Sequence, residues 1–133
     1  MSLGIYPVFE PKIAEAKFGV LGETLASSFE RLDEIAERHG LIPFTAFRDN
    51  REVPADFDGS PDDLEELLGP FNEWFDPESG AKAFEALADL IKSNREEAKR
   101  FQYPQDVVEE LEELVRVLRI AEKRNARFRL EMS

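Results

Sequence analysis

The apolar positions of this chain change period several times, and each change marks an element. Residues 4–9 run Gly-Ile-Tyr-Pro-Val-Phe, rich in β-formers. Pro7 cannot donate to a ladder, so a short strand is predicted here, either at a sheet edge or ended by the proline. From Leu21 the spacing becomes helical. Leu21, Leu25, Phe29, Leu32, Ile35 and Ala36 recur every three or four residues, with Glu30, Arg31, Glu34 and Glu37 between them. Gly40 stands where a helix C′ residue belongs. The prediction is a helix over 22–39.

Residues 41–48, Leu-Ile-Pro-Phe-Thr-Ala-Phe-Arg, suggest a second short strand, and 49–59 a loop broken by Pro54 and Gly59. Ser60, Pro61, Asp62 and Asp63 form a helix start: a capping hydroxyl, a proline at the first helical position and two carboxylates at the positive end of the dipole. Gly69 and Pro70 stop that helix, and 71–80 read as irregular. A helix follows over 81–93, with Phe84, Leu87, Ala88 and Ile91 on one face. The longest spans 105–124, acidic in its first half and basic in its second, as the dipole prefers. Last, Ala126, Phe128, Leu130 and Met132 alternate with Arg127, Arg129 and Glu131, the period of a half-buried strand. Such a strand needs a partner, and the apolar N-terminal segment is the natural one. The predicted fold is therefore a single α+β domain over 1–133, mostly helical, with a small sheet formed by the N- and C-terminal strands.

Length and composition agree. A chain of 133 residues with 42% hydrophobic residues can bury a sizeable core without staples. It has no cysteine, so disulfides, thiol chemistry and the usual structural zinc ligands are excluded. No apolar run is long enough to span a membrane, and the N-terminus lacks the pattern of a secretory signal. A cytoplasmic protein is expected.

Charge sharpens the picture. Of the formal net charge of −12, residues 51–79 carry −9, one arginine against ten carboxylates. Residues 80–133 are neutral overall. Nucleic acid and anionic membranes would be repelled, whereas a basic protein would be attracted. The acidic stretch also holds Phe57, Phe71, Trp74 and Phe75, and Trp74 is the only tryptophan. Aromatic residues inside an acidic rim match the anatomy of an interface hot spot. The expected partner-binding residues are Asp62, Asp63, Glu65, Glu66, Phe71, Glu73, Trp74, Phe75 and Asp76. The plainer account is that Trp74 and Phe71 plug the core beneath a loop whose carboxylates face water.

Positive signs of catalysis are few. The motifs of nucleophile elbows, zinc proteases and phosphate loops are absent, and no cofactor is expected. His39 is the only histidine and lies beside a helix C-terminus, where its cation would stabilise the dipole. Residues 54–65 can be laid over a calcium loop, with Asp56, Asp58, Asp62 and Glu65 in ligand positions. Pro54 takes the first position and no helix precedes it, so no metal site is expected. The alternative to a binding module is a small enzyme or ligand binder with a pocket near His39, Asp49 to Arg51, and Trp74.

Overall fold

The two chain ends meet. The computed structural model describes residues 3–48, 59, 66–68 and 73–133. Strand β1 (Ile5–Glu10) pairs antiparallel with β2 (Arg127–Met132), placing Ile5 opposite Met132 and Phe9 opposite Phe128. One pair further, Gly4 and Ser133 exchange backbone hydrogen bonds of 2.9 and 3.1 Å. Hydrogen-bonded and non-bonded pairs alternate along such a ladder. Pro7, opposite Leu130, therefore falls on a pair that asks no N–H of it, and the strand runs straight through the proline. The predicted alternation puts Phe128 and Leu130 in the core.

The other side of β2 is also engaged. Phe75 exchanges backbone bonds of 2.8 and 3.0 Å with Phe128, and Arg48 bridges Leu130. β2 thus lies between β1 and two short pieces of the middle of the chain.

Helix α1 (Glu23–Arg38) buries Leu25, Leu32, Ile35 and Ala36. Leu21 leaves the predicted stripe and is 76% exposed, because Gly22 turns the chain in the left-handed region (φ 74°) just before the helix. A Cβ at Gly22 would lie 2.0 Å from the Ile5 carbonyl oxygen, so only glycine permits this approach of α1 to β1. The segment before α1 is pinned from outside. Glu113 accepts a hydrogen bond from the Gly19 N–H at 2.5 Å, and Arg116 donates to the Lys17 carbonyl at 2.8 Å.

The strand predicted over 41–48 is instead a 3₁₀ turn, Phe44–Phe47. Asp33 of α1 decides this, accepting from the Thr45 N–H at 3.1 Å and its hydroxyl at 2.6 Å. Residues three apart eclipse in a 3₁₀ turn, so Phe44 and Phe47 enter the core together. Only Arg48 keeps a strand-like bridge. Of the helix predicted from Ser60, residues 66–68 are helical; its start and its stop at Gly69 and Pro70 lie outside the described residues, as does nearly all of the 49–59 loop.

Helix α2 (Pro77–Ser93) begins four residues before the predicted 81. Asp76 caps it, accepting from the Ser79 N–H at 3.1 Å and hydroxyl at 2.9 Å, and Pro77 occupies the first turn. A short helix α3 (Arg95–Ala98) follows, capped by Asn94, then α4 (Pro104–Lys123), which matches its prediction within a residue at each end. α2 and α4 pack along one another. Between them and the sheet lie Phe44, Phe47, Phe75, Phe84 and Phe128, with ring centroids 5.3 to 6.3 Å apart. Each such pair adds about 0.5–1.5 kcal/mol beyond simple burial. The result is a small α+β domain, mostly helical, in which the two terminal strands form a two-stranded sheet, the only one among the described residues. Among the described residues, no helix is long and apolar enough to cross a membrane.

Candidate functional site

The described part of the acidic, aromatic region is built on β2. Because Phe75 bridges Phe128 in antiparallel sense, the preceding residue, Trp74, comes opposite Arg129. The Arg129 guanidinium carbon stands 4.4 Å from the centre of the indole, a cation–π geometry. Arg129 also bonds Glu131 through Nε at 3.0 Å. Alternation separates the two neighbouring rings. Phe75 turns inward, 5.7 Å from Phe47 and 6.3 Å from Phe128 between centroids, and Trp74 lies on the opposite face, half-buried under Arg129.

The expected partner-binding residues divide accordingly. Glu66 and Glu73 are exposed, and Trp74 is half-exposed beside Glu73. Asp76 is exposed, but its carboxylate is occupied in capping α2. Phe75 is partly buried, with its ring packed against the aromatic cluster of the core. Asp62, Asp63, Glu65 and Phe71 lie outside the described residues. Sequence reading missed Arg129 as a member of this site. Its signal was the alternation itself, which places Arg127, Arg129 and Glu131 on the face opposite Phe128 and Leu130.

The alternative pocket does not come together among the described residues. His39 caps the end of α1, with Nε2 2.9 Å from Oε2 of Glu97. The same carboxylate takes Arg38 Nε at 3.1 Å and Arg100 Nε at 2.6 Å. Glu97 is 3% exposed. Burial pushes its carboxyl up, but the hydrogen bonds from Arg100, Arg38 and His39, with the charge of Arg38, outweigh burial and hold it down at about 2. His39 is thus bound to a structural ion cluster on α3, whereas Trp74 belongs to β2. Asp49, Asn50 and Arg51 lie outside the described residues. The same holds for residues 54–65 apart from Gly59, and among the described residues no three histidine or carboxylate side chains are gathered to hold a metal ion.

A recess lies elsewhere, along the N-terminal half of α1. It has a volume of about 750 Å³, with the turn after α3 forming its other wall. Compared with known proteins, the chain matches no family model, no curated protein and no solved structure.

Proposed function

We propose that this protein is a small intracellular binding module that presents its acidic 51–79 face to a basic protein partner. The observation that carries the reading is the Trp74–Arg129 pair. The one tryptophan of the chain already holds a guanidinium at 4.4 Å, beside the exposed Glu73 and within a stretch of net charge −9. A ring that takes an internal arginine is chemically suited to take one from a partner. The carboxylates attract a basic surface at long range and act on the association rate, whereas the indole acts on the lifetime of the complex. A cysteine-free chain suits a reducing intracellular setting.

Fluorescence of Trp74 provides the test. Titration with an arginine-rich peptide should change its emission saturably, and a lysine-rich peptide of equal charge should bind more weakly. Changing Asp62, Asp63, Glu65 and Glu66 to their amides should slow association roughly tenfold at low salt and flatten its salt dependence. Asp76 is left unaltered because it caps α2. An association rate indifferent to salt and to these four amides would reduce the acidic face to a solubilising surface.

A further inference from the structure

The recess beside α1 is set apart by the residues that line it. Thr24, Ser27, Ser28 and Arg31 line it from a single face of α1, as their spacing of three and four residues requires. Arg31 donates from Nη1 to the Arg100 carbonyl at 2.6 Å, so the side chain reaches across to the opposite wall. Among the described residues no carboxylate forms a salt bridge with Arg31, in a chain of 29 carboxylates. Arg100, from that wall, shares Glu97 with Arg38 and His39, so one carboxylate faces two permanent cations. This end of the recess is therefore cationic within a protein of net charge −12.

Away from the arginines, Leu3, Ala26, Phe101 and Tyr103 give the lining an apolar strip between Glu23 and Gln102. Phe101 lines the recess and is only 5% exposed, while Leu3 and Tyr103 border it at 57% and 59% exposure. Glu23, the one anion in the lining, lies eight residues from Arg31 along α1, about 12 Å at the helical rise. The charged head of an anion can then meet Arg31 and Arg100 without facing Glu23. We propose that this recess binds a small organic carboxylate with an apolar tail. The head bonds the guanidinium groups, the Ser28 hydroxyl lies along its path, and the tail lies between the exposed Leu3 and Tyr103, over the edge of Phe101. The site is independent of the acidic face, and its ligand has the opposite charge.

Amide NMR of the full chain tests this with hexanoate as the probe, and with acetate and hexan-1-ol as its head and tail alone. Hexanoate should shift the Ser27, Ser28, Arg31 and Phe101 amides saturably, and each fragment should bind at least tenfold more weakly. Arg31→Gln should weaken hexanoate at least tenfold, and Arg31→Lys, which keeps the charge, should lose less. If Arg31→Gln lowers the melting temperature, the contrast of the three probes on the unaltered protein decides alone. Absence of saturable shifts at these amides, hexan-1-ol binding as well as hexanoate, or undiminished binding by a folded Arg31→Gln protein would each overturn the proposal.

Discussion

The two ends of α1 are each held by a buried glutamate from elsewhere in the fold, and the two carboxylates respond in opposite ways. At the N-terminus Gly22 offers no capping side chain, and Glu110 of α4 supplies one, accepting the Leu25 N–H at 2.8 Å. At the C-terminus Glu97 of α3 gathers Arg38, His39 and Arg100. Burial is similar, at 9% and 3% exposure, and is the largest influence on both, pushing each carboxyl up. At Glu110 the backbone N–H groups of Leu25 and Thr24 offset it only in part, while Asp106 and Glu23 add to it, so the carboxyl stays raised. At Glu97 the guanidinium and imidazole bonds reverse it, to about 2. Both kinds of donor favour the ionised carboxylate, but at Glu110 the neutral backbone donors are outweighed by burial, whereas at Glu97 the charged donors outweigh it.

The largest effect is expected at the N-terminal end. Gly22→Ala places a methyl group against the Ile5 carbonyl and forces an L-residue to a φ of 74°, which together should cost at least about 3 kcal/mol. Urea denaturation measures it. An unchanged midpoint would mean that α1 can start without this close approach to β1.

Glu97→Gln comes next. Removing one partner of a buried ion pair costs about 3–5 kcal/mol, but Arg38 and Arg100 are nearly half exposed and can rehydrate, so about 2–3 kcal/mol is expected. Its signature is in acid. The Glu97 pKa is lowered from 4.5 to about 2 on folding, so the unfolded chain takes up the proton first. The stability it contributes is complete above about pH 4.5 and disappears as pH falls toward 2. Denaturation midpoints across that window should fall less steeply for Glu97→Gln than for the parent; parallel curves would deny Glu97 this role.

Glu110→Gln should do least, within about 1 kcal/mol at neutral pH, because the amide oxygen still accepts the Leu25 N–H and a buried charge is removed. Its acid behaviour should run the other way. A raised pKa means that the folded state holds the proton more tightly, so acid relieves a cost at this site. Without Glu110 the decline in acid becomes slightly steeper; a flatter decline would contradict the upward shift.

Most of the elements were legible because their causes are local. The alternation from Ala126 to Met132 and the periodicity of α1 and α4 needed no knowledge of neighbours. The start of α2 was also local, since Asp76 and Pro77 are a cap and a first-turn proline, but the glycine at 80 obscured them. That glycine answers to packing: a Cβ there would meet the Phe128 ring at 2.3 Å. The 3₁₀ turn at 44–47 was out of reach, because its β-rich composition is overruled by Asp33, twelve residues earlier. The same limit hid both ends of α1. Glu97 and Glu110 look like any other helical glutamates until residues 58 and 85 positions away arrive beside them. Trp74 was legible as a candidate, whereas the arginine it holds depended on a bridge between distant segments.

The pairing of β1 with β2 imposes a delay during synthesis. At about 5–20 residues per second, β1 emerges on the order of ten seconds before its partner exists. For that time its Ile5, Val8 and Phe9 side chains accompany an unpaired strand, the kind of segment that recruits copies of itself. Pro7 interrupts the row of donors in the middle of that strand, on the side that β2 never uses. A residue compatible with the finished ladder thus also protects the nascent chain from its neighbours on the same message.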